Sequence, residues 1–162
     1  MARNQPSVIV VGVDGTSAGQ AALAFAMREA AVRGSALEVV TTWQWNVAYY
    51  PSLGEKPADV RSRAQDMQYA AISAALAHTA APPVISRRVV EGEAGPVLID
   101  VARDADYLVV GTEHKNAMSR VILGSVSLYC MRHAACPVVV VPAPRPLADG
   151  HPTGERQLDQ VP

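Results

Sequence analysis

The 162-residue chain predicts a doubly wound α/β domain around a five-stranded parallel sheet. Two observations carry that expectation. Five short runs are apolar on both faces and rich in β-branched residues, as buried parallel strands are. The segments between them repeat apolar residues at helical spacing, and no hairpin signal joins any two runs.

The first strand is Ser7 to Val13, Ser-Val-Ile-Val-Val-Gly-Val. Asp14-Gly15-Thr16-Ser17 follows as a turn and capping cluster. A helix over Ala18–Arg33 places Leu23, Ala26, Met27, Ala30 and Ala31 on one face, and Gly34 ends it. Leu37–Trp43 is the second strand. An aromatic stretch, Trp45 to Leu53, holds Tyr49 and Tyr50. A long helix runs from Ala58 to Ala80, with Asp59 in its first turn, where a carboxylate suits the helix dipole. Pro82-Pro83 is expected to stop it.

The third strand, Val84–Glu91, carries Ser86, Arg87 and Arg88 and suits a sheet edge, where charge discourages stray pairing. Gly92 to Pro96 turns into a helix with Pro96 near its first position, and Val97, Leu98, Val101 and Ala102 face the sheet. Tyr107–Val110 is the fourth strand, Ser125–His133 the last helix and Pro137–Val141 the fifth strand. From Pro142 onward prolines recur without apolar clusters, which reads as a disordered tail.

Composition narrows the function. Apolar residues make up 49% and charged residues 18%, as in an ordinary globular domain. The net charge is −1 with scattered basic residues, so no nucleic-acid surface is expected. Apolar runs reach about seven residues, too short to span a bilayer. The polar Met1–Pro6 leads directly into a strand, and no signal peptide is expected. Cys130 and Cys136 fit no metal or redox spacing and suit buried thiols in a reducing cytosol.

The chemistry concentrates between Tyr107 and Val141. A buried strand delivers Gly111 into a polar loop, and Gly124-Ser125 opens the next helix. Glycines let a backbone approach a ligand, and a helix N-terminus offers unpaired N–H groups to phosphate. Asp14 and Gly111 both sit at carboxyl ends of strands, where ligands bind if strand order reverses between them. Neither a P-loop nor a Gly-x-Gly-x-x-Gly fingerprint is present.

The blocks Ile9-Val10-Val11-Gly12-Val13-Asp14-Gly15-Thr16, Tyr107-Leu108-Val109-Val110-Gly111, Ile122-Leu123-Gly124-Ser125-Val126-Ser127 and Cys136-Pro137-Val138-Val139-Val140-Val141 resemble the universal stress protein family in its single-domain form. The resemblance covers residues 6–143 and leaves 144–162 as the tail. It implies strand order 3-2-1-4-5, a cytoplasmic dimer and, in one branch, ATP binding with Mg²⁺. That branch is similar to Gly-x2-Gly-x9-Gly-Ser/Thr. Gly111 matches the first glycine and Gly124-Ser125 the last pair, but His114 stands at the middle one. Its Cβ and ring obstruct a close phosphate, and positive φ is disfavoured there. Glu113 adds negative charge beside it, which Lys115 and Arg120 offset.

The nucleotide site implied by the resemblance takes Val13, Asp14 and Thr42 for the nucleoside. It takes Gly111, His114, Gly124, Ser125, Val126 and Ser127 for the phosphates. Each has a plainer alternative. Asp14 and the Gly124-Ser125 pair suit helix capping, Thr42 is a strand-end hydroxyl, and Ser127 suits a solvated one. Trp43, Trp45, Tyr49 and Tyr50 either stack over the site or pack their own loop. His78 and His133 are expected at the surface. No nucleophile–base pair is present, so a binding protein with at most slow ATP hydrolysis is expected.

The rivals are a stress-response partner protein without nucleotide and a nucleotidyl transferase of the wider adenine-nucleotide α/β group. Val138–Val141, apolar on both faces, is the edge through which a homodimer is expected.

Overall fold

The computed structural model describes residues 7–45, 56–113 and 123–144. In chain order it contains β1 (Val8–Gly12), α1 (Ser17–Arg33), β2 (Ala36–Trp43), α2 (Pro57–Leu76) and β3 (Ile85–Glu91). Next come α3 (Ala94–Val101), β4 (Tyr107–Thr112), α4 (Ser125–His133) and β5 (Val138–Pro142). The strands form one sheet in the order β3-β2-β1-β4-β5. Every pairing is parallel.

Alternation along each strand divides the core in two. Ile9, Val11, Leu37, Val39 and Val109 meet Leu23 and Met27 of α1 and Ile72 of α2 on one face. Val10, Val40, Leu108 and Val110 meet Leu98 of α3 and Cys130 of α4 on the other. β1 is buried from both sides, which is why it reads as an unbroken apolar run. Burial pushes the Cys130 thiol up to about 11, so it stays protonated. Cys136 is buried in the same cluster, and its thiol is likewise raised by burial.

α1 starts at an N-cap Thr16, whose hydroxyl accepts from the Gly19 N–H at 3.1 Å. Gly34 ends it at φ 67°, the left-handed conformation a terminal glycine permits. Ala18, Ala22, Ala26 and Ala30 form its buried stripe, and their small side chains bring the helix close to the sheet.

α2 begins where expected, with Asp59 accepting from the Lys56 N–H at 2.9 Å. It ends at Leu76, not at Ala80. The prolines do not stop it. The turn after Leu76 tightens, with His78 N–H donating to Ala75 O and Thr79 N–H to Leu76 O. The Thr79 hydroxyl also takes the Ala75 carbonyl at 2.9 Å. Pro96 is third in α3, since Glu93 is the cap.

β4 and β5 outrun their expected ends. Gly111 and Thr112 continue β4 and lie opposite Val141 and Pro142. Ala143 is buried and donates to Thr112 O at 2.9 Å. Pro142 therefore belongs to the strand and not to the tail; an edge strand tolerates its missing N–H. β3 is the other edge, as expected. Arg88 pairs there with Glu38, and the Arg87 guanidinium lies 5.4 Å from the Tyr69 ring centre. No described helix is long and apolar enough to cross a membrane.

One buried polar side chain ties α2 to the sheet. Gln68 is fully buried, and its Nε2 donates to Val39 O at 3.1 Å and Arg88 O at 2.9 Å. Its Oε1 accepts from the Arg87 Nε–H at 3.2 Å. Gln68→Leu leaves the strand carbonyls without that donor. Urea denaturation should show a loss of about 1–3 kcal/mol, with an unchanged far-ultraviolet dichroism spectrum.

Candidate functional site

The strand order reverses between β1 and β4, which lie side by side with Val10 opposite Leu108. Helices leave the two strands toward opposite faces of the sheet, and a crevice opens beyond their carboxyl ends. Its floor is held by the backbone. Val13 N–H donates to Val40 O at 2.9 Å, and the Thr41 hydroxyl donates to Val13 O at 2.8 Å.

The β1 side is a relay of hydrogen bonds. Asp14 Oδ1 accepts from the Thr16 N–H at 3.1 Å and the Thr16 hydroxyl at 2.7 Å. Thr16 in turn accepts from Gly19. Asp14 thus braces the cap of α1 and is not the cap itself. Gly19 leaves room for it, because a Cβ there would lie 2.5 Å from Asp14 Oδ1.

The β4 side holds the second carboxylate. Glu113 Oε1 accepts from the Ala18 N–H at 3.1 Å, and the Ser17 hydroxyl lies 3.3 Å from both carboxylate oxygens. Gly124 is the N-cap of α4 at φ −68°, and its N–H donates to the Thr112 hydroxyl at 3.3 Å. Among the described residues no side chain caps the first turn of α4. Its leading N–H groups therefore remain available to an acceptor in the crevice.

Val13, Asp14, Thr42, Gly111, Gly124, Ser125, Val126 and Ser127 all line one cavity of about 410 Å³. That is the size of a small-ligand site. His114, Tyr49 and Tyr50 lie outside the described residues. Trp43 lines a neighbouring hollow of about 560 Å³ that shares Thr42 and Ala94 with the first. His78 and His133 are exposed, as expected, and His133 stacks on Tyr129. No cluster of three or more metal-ligating side chains occurs among the described residues.

This fold and crevice match a known group. A model described as the universal stress protein family matches residues 7–142. The chain belongs to the universal stress protein family. It is 34% identical over 139 residues to universal stress protein Rv2623 of Mycobacterium tuberculosis. That match covers 82% of this chain and 46% of the relative. A second relative from that organism, universal stress protein Rv2005c, is 30% identical over 138 residues, covering 82% and 47%. The chain spans about half the length of these curated relatives. Among solved structures it resembles universal stress protein UspA from Lactobacillus plantarum at 25% identity and a TM-score of 0.65. There the match covers 85% of this chain and 99% of the other.

Two family positions carry packing or internal hydrogen-bonding roles besides lining the cavity. Gly111 matches the first glycine of the phosphate motif, yet its nearest constraint is protein. A Cβ on it would lie 2.5 Å from the carbonyl carbon and oxygen of Ala18. The glycine lets the first turn of α1 rest on β4. Ser127, expected either at the phosphates or as a solvated hydroxyl, lines the cavity but is buried and donates to Gly124 O at 2.9 Å, which excludes the solvated alternative.

Gly124 is the reverse case. Its φ suits any residue, and a Cβ would meet nothing nearer than Ser127 Oγ at 3.8 Å among the described atoms. Neither strain nor crowding there demands a glycine, and the space it leaves belongs to the cavity.

Sequence reasoning missed the α3 wall, Ala94 and Leu98, and the glycine beside Asp14, Gly19. The i, i+4 spacing of Ala94 and Leu98 was the available signal for the wall. Gly19 carried none, because its partner is a folded side chain.

Gly111→Ala should cost about 1–3 kcal/mol, since backbone and not a flexible side-chain tip blocks the added methyl. Gly124→Ser should leave stability within about 0.5 kcal/mol, because serine is a good N-cap. Thermal unfolding of the two variants side by side checks both.

Proposed function

We propose that this universal stress protein is a stress-response regulator that binds an adenine nucleotide in the β1–β4 crevice. The observation that carries the reading is the first turn of α4. Among the described residues it has no side-chain cap, begins at a glycine that packing does not require, and opens onto a ligand-sized cavity. A phosphate there would accept N–H groups at the positive end of the helix. Val13, Asp14 and Thr42, across the same cavity, would flank the nucleoside.

Solved proteins of this fold support the ligand class. The universal stress protein from Archaeoglobus fulgidus has been solved with dAMP, and another universal stress protein with cAMP. ATP with Mg²⁺, expected from the motif, falls in the same class.

The proposed role is binding and not turnover. The two lining carboxylates are engaged with α1, Asp14 on Thr16 and Glu113 on Ser17 and Ala18. The proposed compartment is the cytoplasm, which suits two buried free thiols. The proposed assembly is a homodimer through β5. Val139 and Val141 pack on one core cluster and Val138 and Val140 on the other, so the strand has no charged face to guard its edge.

Calorimetry with AMP and with ATP and Mg²⁺ tests the site. Binding of either at millimolar concentration or below supports it, and no heat from both rejects it. Gly124→Ser should weaken that binding about tenfold or more, because the new hydroxyl takes a first-turn N–H and fills the space.

Light scattering tests the assembly. A dimer at micromolar concentration is expected, and Val140→Lys should split it or make the chain insoluble. A clean monomer of the unmodified protein would remove β5 as an interface.

A further inference from the structure

Two helix N-termini open on the crevice, and they differ in occupancy. That of α4 is capped by Gly124 and has no side-chain cap among the described residues. That of α1, whose Thr16, Ala18 and Gly19 line the cavity, already holds a carboxylate from across the molecule. Glu113 bridges 95 residues of sequence to accept from Ala18 N–H, and the Ser17 hydroxyl lies against both its oxygens. Asp14 stands on the same wall. Among the described lining residues these two are the charged ones, and both are negative.

We propose that Glu113 determines the charge of the nucleotide that this crevice accepts, favouring adenosine ligands with one phosphate over ATP. The inference rests on the nucleotide reading above and narrows its ligand.

Among the described residues the cavity offers one open seat for an anion, at α4. A single phosphate fills it and gains the N–H groups and the helix dipole. A triphosphate brings further negative charge that must share the cavity with Asp14 and Glu113. To reach the second N-terminus it must displace Glu113, break its hydrogen bonds to α1 and leave that carboxylate in the same crevice. Repulsion between such close charges, partly screened by water, amounts to about tenfold in affinity. Glu113 touches α1 and not the α4 seat, so a single-phosphate ligand escapes most of that penalty.

The experiment compares AMP, cyclic AMP and ATP by calorimetry, without divalent metal, on the unmodified protein and on Glu113→Gln. Glutamine keeps the shape and an acceptor oxygen for Ala18 N–H while removing the charge. The unmodified protein should bind AMP or cyclic AMP about tenfold more tightly than ATP. The tighter of the two shows whether the seat takes a phosphate monoester or a cyclic diester. In Glu113→Gln the ATP affinity should rise about fivefold or more, with the AMP affinity changed less than about twofold. Glu113→Asp keeps the charge and should keep most of the bias, which a purely structural role would not.

On the unmodified protein alone, raising salt should narrow the gap between AMP and ATP, because like-charge repulsion is screened. ATP binding as tightly as AMP, a gap insensitive to salt, or equal changes for both ligands in Glu113→Gln would overturn the proposal while leaving nucleotide binding intact. Failure of all three ligands to bind would overturn the nucleotide reading itself, and this inference with it.

Discussion

The crevice depends on how closely α1 rests on β4. At Gly111 the strand meets the backbone of Ala18 so tightly that a methyl group would overlap it. Everything on the β1 side of the site hangs from that contact. It sets the height of the first turn of α1 above the sheet. It therefore sets where Thr16 caps the helix, where Asp14 reaches it, and how far Glu113 must extend to meet Ala18. The alanine stripe of α1 serves the same end, because larger side chains would lift the helix and open the crevice.

The two sides of the site are thus built differently. The α1 side is internally satisfied. Its cap, its brace and its carboxylate partner all come from the chain itself, and the result carries two carboxylates. The α4 side is left open, with a glycine cap and a buried Ser127 hydroxyl that turns back onto the same residue. A ligand that accepts hydrogen bonds completes the second side and must tolerate the charge of the first. Away from the crevice, Gln68 does comparable work for α2, converting a helix of modest apolar face into one fixed over β2 and β3.

Local signals carried most of the architecture. Runs such as Val8–Gly12 and Tyr107–Val110 are apolar on both faces because both faces are covered, so the parallel sheet was readable from the pattern. The charges of Arg87 and Arg88 marked β3 as an edge, and they lie on one. Element ends were less legible. The last turn of α2 is closed by Thr79 on Ala75 and not by the prolines beyond, a choice that Ala-rich sequence leaves nearly neutral. β5 runs through Pro142 because Thr112 supplies a partner strand, which no local propensity could show.

By itself the sequence pattern determined the alternation of strands and helices and the two glycines that flank the loop after β4, while the strand order, and with it the reversal at the crevice, was implied by the family resemblance. The alternation and the glycines follow from periodicity and from connections that act over a few residues. Only the tertiary structure decided what the residues at the crevice do. It assigned Gly111 to helix packing, turned Ser127 inward, made Thr16 the cap with Asp14 as its brace, and seated Glu113 on a helix that begins 96 residues earlier. Those roles belong to pairs brought together by the fold. Their partners cannot be inferred from spacing, because the distances between them are set by how closely α1 lies on the sheet.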